Sequence, residues 1–200
     1  YIYAYATETF TYFDLTTPNN VRITSIVNHI LQDKDGNLWF STNGQGLFRY
    51  NLSKNYLEQY EFTSAFGIVA STMADSDNQI WALTNQGESG VYKLNKAENK
   101  FEPFGLLYNA GNHHSQALAM LEDSEQTLWL GTWECGLQKI DKYTRQTTTY
   151  LHPTDGKGVT HIHSLMEYAP HQLLIGSDDG LLLFNTLTEE YKLFTDRKSV

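Results

Sequence analysis

The sequence predicts an all-β fold, a β-propeller fragment of about four and a half four-stranded blades. Three observations carry this prediction. A repeat near 45 residues runs along the whole chain, as the 45 positions between Trp129 and Leu174 illustrate. Short apolar segments alternate with turn residues, and no apolar stripe with helical spacing and caps is found. Aromatic residues make up 14% of the 200 residues, which favours strands.

The repeat is clearest around three tryptophans. Trp39, Trp81 and Trp129 each follow an Asp-containing turn and precede a segment that begins with Gly, and a weaker fourth copy is centred on Leu174. Each unit divides into four short strands, which in the first unit are expected at 27–32, 38–42, 47–51 and 56–62. Asp-Gly and Asn-Gly pairs occur where tight turns need positive φ.

A four-stranded unit with bulky side chains on both faces cannot bury them alone, so neighbouring units must pack face to face around an axis. This favours a propeller over a linear β-solenoid, whose coils are usually shorter. Residues 2–5 and 10–13 are expected to be the last two strands of a preceding blade. The predicted divisions are 1–20 for the end of that blade, 21–63, 64–105, 106–152 and 153–195 for four blades, and 196–200 for a tail. We expect an open arc cut from a longer protein, with exposed edge faces.

Composition excludes several classes of function. The net charge of −9 disfavours nucleic acid as a partner, because an acidic surface repels phosphates. A single cysteine, Cys135, rules out an internal disulfide framework. Cys135 occupies a loop position held by Gln45 in another copy and has no histidine at a recognisable offset, so we do not expect it to be a nucleophile. No catalytic or cofactor-binding motif is found, and no cofactor is expected.

The repeated residues are expected to be architectural. Trp39, Trp81 and Trp129 recur inside strands, which favours a place in the core between blades over sugar stacking. Asp33, Asp75 and Asp123 are expected to cap their own turns by accepting backbone N–H groups, rather than to bind metal.

The repeat resembles the two-component regulator propeller repeat. Gly36-Asn37-Leu38-Trp39 and Gly46-Leu47-Phe48-Arg49-Tyr50-Asn51 match it closely, and Trp129-Leu130-Gly131-Thr132 matches nearly as well. The fourth copy departs, with Tyr168 at the Asp position and Leu174 at the Trp position. The resemblance implies the periplasmic sensor region of a hybrid sensor histidine kinase, with an oligosaccharide as ligand. The kinase and further blades would then lie elsewhere in the same protein.

Ligand-binding residues are expected where the copies differ. In a propeller, the loop after the second strand of a blade shares a rim with the loop that enters the next blade, and loops on a rigid scaffold carry binding chemistry. Trp133 is the leading candidate, because it is a loop tryptophan outside the repeat pattern. The other candidates are Glu134, Asn112, His113, Asn43, Gln45 and Asp178. The alternative is that these are ordinary solvated loops.

Two other functions stay open. One is an enzyme similar to propeller lyases that act on cyclic peptides, with a metal-binding rim formed by His113, His114 and His161. His163 belongs to the same group, although a structural role is favoured for all four. The other is a scaffold for protein contacts, including a possible homodimer, in which the negative charge would favour basic partners.

Overall fold

The computed structural model describes residues 1–12, 15, 20, 22–62, 67–84, 90–106, 116–151, 158–159 and 161–194. Across these residues the chain forms 18 strands and no helix. None of them therefore provides a helix of the length and apolarity needed to cross a bilayer.

The strands form one hairpin and four four-stranded antiparallel sheets. The hairpin consists of β1 (Ile2–Ala4) and β2 (Thr9–Thr11). Blade 1 contains β3 (Val27–Gln32), β4 (Leu38–Thr42), β5 (Leu47–Asn51) and β6 (Tyr56–Tyr60). Blade 2 contains β7 (Val69–Ala74), β8 (Ile80–Thr84), β9 (Gly90–Asn95) and β10 (Lys100–Leu106). Blade 3 contains β11 (Ala117–Glu122), β12 (Leu128–Thr132), β13 (Leu137–Ile140) and β14 (Thr147–Tyr150). Blade 4 contains β15 (Ile162–Ala169), β16 (Gln172–Ser177), β17 (Gly180–Asn185) and β18 (Tyr191–Phe194).

The predicted fold class and the meander of four strands in each blade are confirmed. The predicted strand at 56–62 is too long, because β6 ends at Tyr60. Phe62 leaves the sheet and packs edge-on against Tyr92 of blade 2, with ring centroids 5.0 Å apart. The strands of the N-terminal hairpin are also shorter than the expected 2–5 and 10–13.

The blades stack face to face through their first strands. β3 lies against β7, β7 against β11, and β11 against β15. Each apolar core between blades combines side chains from two successive sheets. In the first such core, Trp39 and Leu47 of blade 1 pack with Val69 and Ile80 of blade 2. The expected stacking of units is therefore confirmed.

Each repeat tryptophan is anchored by the aspartate six positions before it. Trp129 is 1% exposed, and its indole Nε1 donates to Asp123 Oδ2 at 2.7 Å. The other carboxylate oxygen of Asp123 accepts the backbone N–H groups of Glu125 and Thr127, at 3.0 and 2.8 Å. Asp33 with Trp39 and Asp75 with Trp81 repeat this arrangement, with indole contacts of 2.8 and 2.9 Å. Both architectural predictions are confirmed.

A second set of contacts braces neighbouring blades at the turns between first and second strands. Glu122, the last residue of β11, accepts the backbone N–H and the hydroxyl of Ser76 from blade 2. Glu167 of blade 4 accepts the same two groups from Ser124 of blade 3, at 2.8 and 2.6 Å. The Lys142 side chain is only 8% exposed and its ammonium group lies 2.5 Å from the Glu122 carboxylate. Burial disfavours its charge, but Glu122 and Asp75 outweigh that effect, so the pKa of Lys142 is raised.

Both ends of the arc expose apolar surface. On blade 4, Met166, Tyr168 and Leu181 are exposed on the face that does not pack against blade 3. At the other end, a cavity of about 470 Å³ lies between the N-terminal hairpin and blade 1 and is lined by Ile30 and Phe40 among others.

Candidate functional site

In blades 1, 3 and 4 the backbone fixes an equivalent rim position. Asn43, Trp133 and Asp178 each follow the last residue of a second strand. The backbone N–H of each donates to the residue that enters the first strand of its own blade. The acceptors are the carbonyl oxygens of Ile26, Gln116 and His161, at 2.9, 2.9 and 3.2 Å. The three side chains therefore occupy equivalent places on the same rim.

The same backbone position also contacts the next blade. Asn43 forms an isolated antiparallel bridge with Ile68, and Trp133 forms one with His161. This second bridge places the Trp133 side chain of blade 3 beside the histidine that enters blade 4.

Four side chains meet at this junction, and we call Trp133, His161, His163 and Asp178 the rim cluster. The indole of Trp133 and the imidazole of His161 stack with centroids 3.6 Å apart and planes 23° apart. His161 Nδ1 lies 2.5 Å from Asp178 Oδ2, and His163 Nε2 lies 2.6 Å from Asp178 Oδ1. Trp133 remains 40% exposed, so the cluster combines an aromatic surface with polar groups that solvent can reach.

One carboxylate links the two imidazoles. The hydrogen bonds from His161, first, and from His163 hold the pKa of Asp178 below its ordinary value. Asp178 is therefore a carboxylate at neutral pH and accepts one N–H from each ring. When an imidazole is neutral and gives its N–H to a carboxylate, its second nitrogen is a hydrogen-bond acceptor, which suits hydroxyl groups as partners.

The other described candidates occupy different environments. The side-chain oxygen of Gln45 accepts the backbone N–H groups of Thr24 and Ser25, at 2.7 and 2.8 Å, and its amide nitrogen donates to the Arg22 carbonyl. Gln45 thus ties down the segment that enters blade 1. Glu134 is exposed at the tip of its turn, with φ of 70°.

Cys135 is buried beside this turn, at 1% exposure. Its backbone N–H donates to the Thr132 hydroxyl at 3.0 Å, and that hydroxyl donates to the Gly136 carbonyl at 2.7 Å. Gln45 makes the same backbone contact with Thr42 in blade 1. The backbone of residue 135 therefore helps to close the turn.

The candidates Asn112 and His113, together with His114, lie outside the described residues. Among the residues that the structure does describe, no three His, Cys, Asp or Glu side chains are arranged to hold a metal ion. His161 and His163 instead both turn toward Asp178.

Sequence reasoning identified Trp133 and Asp178 separately but missed their connection through His161. The sequence did not show how neighbouring blades pair: the residue after the second strand of blade 3, Trp133, pairs with the residue that enters blade 4, His161. The repeat alignment contains that information once the strand pairing between blades is known.

Comparison with known proteins confirms the resemblance of the repeat. A family model for the two-component regulator propeller matches residues 20–44. A histidine kinase, "P4", from Formosa agariphila is 26% identical over 185 residues, which cover 88% of this chain and 13% of that protein. The chain thus spans a small fraction of this relative's length.

Solved structures share the fold. The extracellular domain of BT4673 from B. thetaiotaomicron, assigned to a one-component or a hybrid two-component system, superposes with a TM-score of 0.72 at 24% identity. That match covers 90% of this chain and 24% of the other. Virginiamycin B lyase from Staphylococcus aureus gives a TM-score of 0.70 at 17% identity over 94% of this chain and 60% of the lyase. At these identities the likeness is one of fold.

Proposed function

We propose that this chain is a ligand-sensing part of the extracytoplasmic region of a two-component signalling protein. The two-component regulator propeller repeat at residues 20–44 and the similarity to a histidine kinase support a sensor role. Extracellular domains of signalling systems with the same fold support the location outside the cytoplasm, and we propose the periplasm. The kinase would lie elsewhere in the same protein.

We propose that the ligand is an oligosaccharide and that it binds at the rim cluster. The observation that carries this proposal is the exposed indole of Trp133 beside a carboxylate and two imidazoles. An indole offers an apolar face to the C–H surface of a pyranose, while Asp178 and the imidazole acceptors suit its hydroxyl groups. We propose that Glu134, which follows Trp133 in the same turn, and Asn43, at the equivalent rim position of blade 1, also contribute polar groups.

The rim cluster also suggests how binding would be transmitted. Trp133 belongs to blade 3, whereas His161, His163 and Asp178 belong to blade 4 or its entrance. A ligand held by both blades would favour one arrangement of that junction. It would shift the signalling equilibrium only by its difference in affinity for the two arrangements.

The test is oligosaccharide binding by the intact protein and by a Trp133→Ala variant. The probes are cello-, xylo-, manno- and malto-oligosaccharides, measured by calorimetry. Loss of the stacking surface should weaken binding by about tenfold or more, which corresponds to about 1.4 kcal/mol. Tyr143→Ala is the control, because Tyr143 is an exposed aromatic residue away from the rim cluster, in the turn between β13 and β14. Unchanged affinity in Trp133→Ala would refute this assignment of the rim.

The proposed role is binding rather than catalysis. The lyase alternative can be tested on the same preparation by incubation with quinupristin, the ligand of one lyase structure that shares the fold. Metal-dependent conversion of this cyclic peptide that is lost in His161→Gln would favour the lyase. We expect the peptide to remain intact.

A further inference from the structure

We infer that His161, oriented by Asp178, is a positioning residue that fixes the indole of Trp133 in a set orientation at the rim. The inference rests on the proposed function, because it explains how a loop tryptophan is held ready for a ligand. It concerns residues that the repeat pattern leaves unexplained.

The fold itself does not require these side chains. The bridge between Trp133 and His161 has the same backbone pairing as the bridge between Asn43 and Ile68. The hydrogen bonds from the Asn43 and Trp133 backbone N–H groups to their own blades are both 2.9 Å long. Asn43 and Ile68 thus satisfy this junction without an aromatic ring, an imidazole or a carboxylate. The stacked pair at the other junction is an addition to a backbone arrangement that is already complete.

The geometry restrains the indole through a chain of contacts. The Asp178 backbone N–H donates to the His161 carbonyl at 3.2 Å, and the Asp178 carboxylate accepts from His161 Nδ1. The turn after β16 therefore holds His161 both by its backbone carbonyl and by its imidazole. The face of the imidazole then stacks on Trp133 at 3.6 Å. An exposed side chain loses rotamer freedom when it binds, and prior ordering removes part of that cost, which improves affinity.

The charge state of His161 should modulate this restraint. Histidine is the side chain that changes charge between about pH 5 and pH 8. Among the residues that the structure describes, the titratable groups recorded in contact with His161 are Asp178 of the turn after β16 and His163 of β15. A protonated His161 would attract both the Asp178 carboxylate and the face of the indole. Protonation of His161 should therefore hold the Trp133 ring more tightly.

Ligand-free protein provides the test, so its outcome does not depend on the identity of the ligand. Trp39, Trp81 and Trp129 also fluoresce, but they are buried and are present in both the intact protein and its Trp133→Phe variant. The fluorescence difference between these two proteins is therefore the Trp133 signal. A protonated imidazole quenches a stacked indole by accepting an electron from its excited state. We expect the Trp133 signal to fall as the pH is lowered from about 8 to about 5, and to stay flat in His161→Gln.

His171→Gln is the matched control, because His171 lies in the turn between β15 and β16, away from the rim. It should keep the normal pH profile. Ring protons of His161 should also show an upfield ring-current shift in NMR spectra that is lost in Trp133→Leu. A pH profile unchanged in His161→Gln, or ordinary chemical shifts for the His161 ring protons, would overturn the inference.

The two proposals fail in different ways. If the rim binds an oligosaccharide, His161→Gln should weaken binding several-fold and retain it, whereas Trp133→Ala removes the contact surface. If no oligosaccharide binds but the pH profile is as expected, the positioning role stands and the ligand class is wrong. If oligosaccharide binds and His161→Gln changes neither affinity nor fluorescence, the positioning role is wrong.

Discussion

Removing the Asp123 carboxylate should show how much its contacts with Trp129 and with the turn contribute to the free energy of unfolding. Asp123→Ala deletes the acceptor of the Trp129 indole N–H and of two backbone N–H groups in the turn. The indole N–H is buried and would be left unpaired, at a cost of about 1–3 kcal/mol, whereas the more accessible turn amides contribute about 1 kcal/mol each. We therefore expect a loss of about 3–5 kcal/mol in the free energy of unfolding.

A double-mutant cycle separates the indole contact from the turn. Trp129→Phe keeps an aromatic ring but removes the N–H donor. In Asp123→Ala combined with Trp129→Phe no indole is left unpaired, so the double variant should be less destabilised than the sum of the two singles by about 1–3 kcal/mol. Blade 4 already carries the corresponding double replacement, with Tyr168 and Leu174.

The assay is urea unfolding followed by circular dichroism, which does not depend on the tryptophan that is replaced. Tyr168→Ala is the matched control: it changes the equivalent position in blade 4, where no carboxylate is present, and should alter stability by less than about 0.5 kcal/mol. Additivity of the two single variants within about 0.5 kcal/mol would refute the coupling of aspartate and tryptophan.

Three further outcomes are expected. Lys142→Met should destabilise the protein by about 1–3 kcal/mol in urea unfolding, because the Glu122 carboxylate, on a side chain that is only 9% exposed, loses its ammonium partner, and Glu122→Gln added to it should recover part of the loss. Gly131→Ala should lower the thermal midpoint, because the added Cβ would lie 2.4 Å from Ile162 Cγ2 and 2.9 Å from the Ile162 carbonyl oxygen. The lowered pKa of Asp178 means that its contribution to stability is present above its ordinary value of about 3.8 and is lost as the pH falls through the lowered value. The difference in stability between the intact protein and Asp178→Asn should therefore disappear in strong acid, and a difference that grows there would contradict this.

The repeat made most of the fold predictable. Three copies of the repeat, aligned at the same positions, identified the second strand, its tryptophan and its capping aspartate. Residues that recur from copy to copy were interpreted as part of the architecture. The contacts between blades were not predictable from this pattern. Ser76 and Glu122 are far apart in the sequence, and their hydrogen bonds depend on how two sheets are placed against each other. The end of β6 was missed for a similar reason, because Phe62 follows packing with blade 2 rather than strand alternation.

The candidate site was predictable only in part. Trp133 stood out because a loop tryptophan interrupts the pattern, and Asp178 stood out as a polar loop residue. Their link requires His161, which comes from the segment that enters the next blade. A shift of register between Ile162 and Ser164 accompanies this entrance, and equivalent shifts occur at the start of β3, β7 and β11. Sequence spacing alone does not reveal that shift.

The backbone hydrogen bonds that hold positions 43, 133 and 178 have a consequence for protein engineering. Each position is held through its own N–H, so the side chain there contributes little to closing the blade. A combinatorial library that varies these three positions should keep folding while it changes the chemistry of the same rim. The arc would then serve as a display scaffold, with a selectable patch carried by blades whose stability lies in the Asp–Trp anchors and the apolar cores between blades.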